Sequence, residues 1–116
     1  MITAVGISVE DVILVMDGFR VGEGSYHCER MLSEGGGMAA TALCTASRLG
    51  SKTRLVSRVG DDVHGRFIIE GLESFGVDTT HVTVVPGRNT TVSIVLVDTT
   101  TGEKQFYSEF HKSAYI

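Results

Sequence analysis

Three consecutive glycines, Gly35, Gly36 and Gly37, run directly into the alanine-rich stretch Ala39 to Leu49. A helix N-terminus presents backbone N–H groups that have no partner inside the helix. With no side chains in front of it, a polar ligand can lie close against that backbone. The run by itself is read equally well as a loop kept bare for tight packing. A second candidate is Asp11, in "VGISVED". It follows the short apolar segment Ile2 to Ser8, which reads as a buried strand. In an open parallel sheet, ligands bind beyond the carboxyl ends of the strands. A carboxylate there accepts hydrogen bonds from two adjacent hydroxyls at once. The plainer reading of a lone aspartate is a solvated turn residue.

Other chemistry-bearing residues are weaker candidates. Asp61 and Asp62 precede an apolar-periodic segment, where a carboxylate suits the positive end of a helix. Capping is preferred there to metal binding. Tyr107, Glu109 and His111 read as polar positions of an edge strand, with a reach toward a ligand as the alternative. "LGSKT" at Leu49 to Thr53 imitates the end of a phosphate-binding loop, but Ser51 separates Gly50 from Lys52. A Gly-x-Gly-x-x-Gly after a strand is also missing. Cys28 and Cys44 are far apart and read as reduced, buried thiols, and no zinc-ligand spacing is present. The sequon at Asn89 carries no meaning in a cytoplasmic chain.

The elements that must position these residues follow from periodicity. Ala39 to Leu49 favours helix and Gly50 stops it. Arg54 to Val59 reads as a strand. Val63, Phe67, Ile68, Leu72 and Phe75 recur at helical spacing, and Gly76 ends that helix. Val82 to Val85 and Thr91 to Val97 are strands by their β-branched content. Thr99 to Gly102 is a hairpin turn between Val97 and Phe106. Alternating strands and helices as far as Gly76 predict a parallel sheet with covering helices. The strand-rich stretches Arg20 to Leu32 and Thr91 to Phe110 predict a separate small sheet.

The chain has 116 residues, which allows one domain at most. Ten Lys and Arg against fourteen Asp and Glu give a net charge of -4. That argues against nucleic acid as a partner, because phosphate contacts need clustered cations. Arg48, Lys52, Arg54 and Arg58 form the densest basic run and read as a solvated helix end and strand edge. No apolar run approaches membrane-spanning length. No basic stretch leads into an apolar run at the N-terminus, so no targeting peptide is read and a cytoplasmic location is expected.

Together these residues resemble the N-terminal part of a ribokinase-like sugar kinase, the PfkB family. Gly36-Gly37, Ala39, Thr41, Gly50 and Gly60 fall at the spacing of that family's first signature, with Thr41 where Asn is usual and Leu43 where a small residue is usual. "GDDVHG", Gly60 to Gly65, resembles the family's Gly-x-Asp-x-x-Gly, and "GVDTTHV", Gly76 to Val82, the segment after the second helix. The resemblance implies an α/β fold: the N-terminal part of a ribokinase-like domain, spanning 1–116, with a parallel sheet, flanking helices and a small β lid. The lid strands are expected within about 20–32 and 91–110. It implies sugar binding by Asp11, Gly36, Gly37 and Thr41, and a homodimer formed through the lid. The implied reaction is transfer of the ATP γ-phosphoryl to a sugar hydroxyl, with ATP and Mg2+ as cofactors. The family's Gly-Ala-Gly-Asp loop, which carries the catalytic base, is not among these residues. No catalytic or metal-binding residue is therefore assigned in this chain, and alone it is expected to be inactive. The competing readings are a non-catalytic sugar-binding or dimerisation module and a nucleoside kinase fragment.

Overall fold

The computed structural model describes residues 1–109; Phe110 and His111, named above, lie outside the described residues. Strands β1 (Ile2–Val5), β4 (Thr53–Gly60) and β5 (Val77–Val85) form a parallel sheet in the order β1-β4-β5. Helices α1 (Met38–Arg48) and α2 (Val63–Ser74) are the crossovers that parallel pairing requires. Strand β4 alternates as its sequence predicts. Leu55 and Val59 are buried with Ala40 and Leu43 of α1, Ile68 and Leu72 of α2, and Val77 and Val82 of β5. Arg54, Val56 and Arg58 face the other way and are partly or fully exposed. Arg54 is held by Asp78 at 3.0 Å.

The second sheet has four strands in the order β3-β2-β6-β7: β2 (Val9–Met16), β3 (Arg30–Gly36), β6 (Val92–Asp98) and β7 (Lys104–Glu109). Strand β2 runs antiparallel to β3 and parallel to β6, and β6 forms a hairpin with β7. The turn between β6 and β7 falls where the sequence predicts it. Asp98 closes it, accepting from the backbone N–H of Thr100 at 2.8 Å.

Two expectations need correction. The segment expected to be strand at 20–32 is irregular as far as Glu29, and the strand there is β3, which runs on into the glycine run. Glycines at 22 and 24 with φ of 92° and 156° break the early part. The cysteines are free but half-buried rather than buried.

Helix α1 begins at Met38 with Gly37 as its N-cap, and no side chain caps it. It ends on Gly50, whose φ of 97° suits the left-handed position after a helix and whose N–H returns to the Ser47 carbonyl at 3.0 Å.

Candidate functional site

Asp11 does not stand at the carboxyl end of a parallel-sheet strand. It lies inside β2, in the four-stranded sheet. Strand β1 stops at Val5, and the chain crosses between the sheets over Gly6 to Ser8. The Gly6 N–H still donates to the Val56 carbonyl at 3.2 Å, and the Ser8 and Ser57 hydroxyls are hydrogen-bonded at 3.1 Å. The apolar run from Val12 to Met16 then continues as lattice for the second sheet rather than the first.

Directly paired residues of neighbouring strands face the same side. Asp11 is opposite Glu34 on β3 and Ser93 on β6, and Ser93 is opposite Ser108 on β7. The two serine hydroxyls are 2.6 Å apart. One face of the sheet thus carries a polar row of two carboxylates and two hydroxyls. Burial first, and the facing Glu34 carboxylate second, push the Asp11 carboxyl above the ordinary aspartate range. Tyr107 and Glu109 pair with Ile94 and Val92 and face the opposite side, so this sheet does not bring them to Asp11.

The three glycines separate into different roles. A Cβ at Gly36 would lie 3.0 Å from the Asp11 carboxyl carbon and 3.1 Å from Val9 Cγ2, and closer still to one Asp11 oxygen. Gly36 is therefore the floor on which the carboxylate rests. Gly37 has a φ of 97°, and a Cβ there would strike the Ile7 carbonyl oxygen, so its bareness serves the start of α1. Gly35 has open space beside it.

Thr41 sits in the first turn of α1, exposed, its backbone N–H donating to the Gly37 carbonyl at 2.9 Å. It lines a cleft of about 620 Å³ that runs between α1 and α2 beside the end of β3. Gly36, Glu34, Cys44, Phe67 and Phe75 share that wall, whereas Asp11 and Gly37 do not. Arg48 of α1 lies 4.7 Å from the centre of the Phe75 ring, a cation–π contact between the two helices. The structure thus joins Asp11 to Gly36 and Gly36 to Thr41, with Gly36 as the common point.

Asp62 caps α2, accepting from the Gly65 N–H at 2.8 Å. Its other contacts are to Thr90, whose hydroxyl donates at 2.6 Å and whose N–H donates at 2.8 Å. Burial raises the Asp62 pKa, but these donors and the nearby His64 outweigh it and leave the carboxyl below its usual range. Asp61 accepts from the Gly87 N–H at 2.9 Å. Both aspartates therefore stitch the segment before α2 to the segment before β6. Gly60 and Gly65 belong to the same stitch. A Cβ on either would strike a backbone carbonyl, that of Arg88 or of Gly60.

Two contributors were not singled out from the sequence. Glu34 is invisible as a partner of Asp11 until the strand register is known. Glu10, buried in β2, is bonded to His64 Nδ1 at 3.1 Å. A second carboxylate beside Asp11, in an otherwise apolar strand, was the available signal. Among the described residues, no group of three or more His, Cys, Asp or Glu could hold a metal ion, and no helix is long and apolar enough to cross a membrane.

A parallel sheet with two helices, joined to a second sheet, is an α/β architecture that this chain shares with ribokinase-fold kinases. The chain belongs to the pfkB family of carbohydrate kinases, whose family model matches residues 1–115. It is 38% identical over 95 residues to a nucleoside kinase of Methanothermobacter thermautotrophicus, covering 82% of this chain and 31% of that protein. It is 42% identical over 59 residues to a 2-dehydro-3-deoxygluconokinase of Thermoproteus tenax, covering 51% of this chain and 18% of that protein. Among solved structures, ribokinase of Thermotoga maritima superposes with a TM-score of 0.79 at 28% identity, over 93% of this chain and 35% of that one. An uncharacterized sugar kinase of Pyrococcus horikoshii in complex with ATP gives a TM-score of 0.78 at 28% identity, over 99% and 35%. The chain spans about a third of the length of the first of these relatives.

Proposed function

We propose that the protein carrying this chain transfers the γ-phosphoryl group of ATP to a hydroxyl of a sugar, and that this chain supplies the sugar-binding floor and the lid. The observation that carries the reading is the Asp11 carboxylate set against Gly36, on the one face of the second sheet that also carries Glu34, Ser93 and Ser108. A carboxylate accepts from two neighbouring hydroxyls and so orients the sugar. The bare backbone at Gly36 lets the sugar lie close, and Thr41 offers one further hydroxyl from the first turn of α1. The second sheet acts as the lid, covering the sugar and excluding water that would compete for the phosphoryl group.

ATP and Mg2+ are the cofactors the family implies. Mg2+ is ordinarily held by one or two carboxylates together with nucleotide phosphates, and no residue of this chain is assigned to it. The base, the nucleotide site and the ion then belong to a further part of the protein. The outer edge of β1 is unpaired among the described residues, and Val5, beside it, is 64% exposed. Parallel sheets are ordinarily covered on both faces, so this edge and face suit additional strands and helices. The chain by itself is accordingly inactive.

The lid sheet carries apolar residues on both faces. Ile13, Val95 and Phe106 share the side of Asp11, and Val12, Ile94 and Tyr107 the other. A homodimer through the second face is proposed, and light scattering at high concentration that shows only monomer would remove it. A nucleoside in place of a free sugar is the second reading, favoured by the identity to the nucleoside kinase over 82% of the chain.

The direct test is ATP-dependent phosphorylation by the full-length protein across a panel of sugars and nucleosides, with Asp11→Asn as control. Turnover of one substrate class that collapses in the variant is expected. No turnover of any member, or an unaffected variant, would overturn the reading. Phosphorylation by the isolated 116-residue chain would overturn its assignment as a non-catalytic part.

A further inference from the structure

Glu10 is 6% exposed, yet it sits next to Asp11 in the strand that leads into the lid. Its carboxylate meets His64 Nδ1 at 3.1 Å, and His64 lies in the first turn of α2. A buried carboxylate without a partner is expensive, so this contact is a condition on how β2 can sit. An ionised carboxylate accepts only, so a ring with its proton on Nδ1 is the one that satisfies it. The His64 side chain is 41% exposed.

Successive residues of a strand point to opposite faces. Pinning Glu10 to α2 on one face therefore fixes the direction of Asp11 on the other. Glu10 is also the second residue of β2, two positions after the crossover of Gly6 to Ser8 that joins the two sheets. We propose that Glu10 and His64 form a positioning pair, tying the root of the lid to α2 and so setting the angle at which Asp11 meets the sugar. Neither residue touches the substrate. The proposal rests on the sugar-kinase reading for its consequence but not for its geometry.

The test uses the full-length protein with Glu10→Ala, Glu10→Gln, His64→Ala and the double variant. Hydrogen exchange without ligand should rise over 9–16 and 30–36 in both alanine variants, while 63–74 keeps its protection. The double variant should exchange no faster than either single one, because the two residues act as one contact. Glu10→Gln keeps an oxygen for the Nδ1 proton and should stay near wild type. In the activity assay, Glu10→Ala should raise the sugar KM by about tenfold with kcat little changed, and Glu10→Gln should restore it. Additive effects of the two alanine changes, or exchange that rises evenly along the chain, would overturn the pair as a positioning device. If wild-type protein phosphorylates neither sugars nor nucleosides, the kinase reading fails, and the exchange pattern still decides whether the pair anchors the lid.

Discussion

Leu55 in the parallel sheet is wholly buried, between α1 and α2 on one side of β4. Ile94, at the corresponding centre of the lid sheet, is 37% exposed, and Tyr107, paired with it on β7, is 58% exposed. Both sheets are rich in β-branched residues, so composition does not separate them. The difference is what covers them. The parallel sheet has two helices laid over one face, and Leu55, Val59, Val77 and Val82 pack there against them as core. Among the described residues the lid sheet has no helix of its own, and one of its faces spends four aligned positions on Asp11, Glu34, Ser93 and Ser108 instead of on apolar packing. On the proposed reading, stability is concentrated in one layer and binding chemistry in the other.

That division is tested most strongly by truncating one residue in each layer. Leu55→Ala should cost about 3 kcal/mol of unfolding free energy, because it leaves a cavity in a closed core. Ile94→Ala should cost about 1 kcal/mol or less in the monomer. Urea melts at low protein concentration measure both. Comparable losses would mean that the lid is as much a structural core as the parallel sheet. A loss at Ile94 that grows with protein concentration would instead report the proposed dimer.

The converse holds for function. Asp11→Ala removes charge-assisted hydrogen bonds to the substrate and should lower kcat/KM by about 2–3 kcal/mol, roughly 100-fold, with the parallel-sheet core intact. Steady-state kinetics and a thermal melt on the same preparation separate the two effects. A variant that loses stability in proportion to activity would make Asp11 a structural residue.

The join between the layers has its own signature. Asp62→Ala removes the α2 cap together with two donors from Thr90, so a loss of about 2 kcal/mol is expected at neutral pH. The Asp62 pKa is depressed in the fold, so its contribution is present above the ordinary aspartate range and disappears as pH falls through the folded value. Wild type and variant should therefore converge in stability in acid. A difference that persists unchanged at low pH would assign the loss to something other than the carboxylate.

The same contrast explains what could be read before the structure was known. The parallel sheet and its helices follow from local pattern: helical spacing from Val63 to Phe75, alternation in β4, and glycines at the helix ends. The family resemblance pointed to Asp11, Gly36, Gly37 and Thr41 residue by residue. What local pattern could not supply was register. Asp11 was expected at the end of a parallel strand and lies within the lid because β2 pairs with β3 and β6, contacts that span long stretches of chain. Glu34 and His64 are likewise ordinary surface residues in sequence and acquire partners only through those pairings. Strand β3 was placed too early because its glycine-terminated end, Ser33 to Gly36, looks like loop when taken alone. Gly36 is tolerated in the ladder there because the Asp11 carboxylate occupies the space of its missing side chain.

The smallest expected effect is also the most specific to the lid. The Asp11 pKa is raised, first by burial and then by Glu34. If Asp11 binds the sugar as proposed, it does so as the ionised carboxylate, so affinity should fall as pH drops through that raised value, earlier than for an ordinary aspartate. Glu34→Gln removes the second cause and leaves the first. The acid limb of the KM profile should then move to lower pH while the neutral-pH KM changes only through any direct contact of Glu34 with the sugar. For the unliganded protein the linkage has the opposite sense. A carboxyl whose folded pKa is raised destabilises the fold above that pKa, and the penalty is relieved as pH falls through it. Asp11→Asn should therefore leave the unliganded protein slightly more stable at neutral pH while abolishing sugar affinity. Buffers of constant ionic strength are needed, because an exposed part of the Glu34 effect is screened by salt. An acid limb that stays in place in Glu34→Gln would mean that the two carboxylates, although opposite in register, do not share the field the sugar enters.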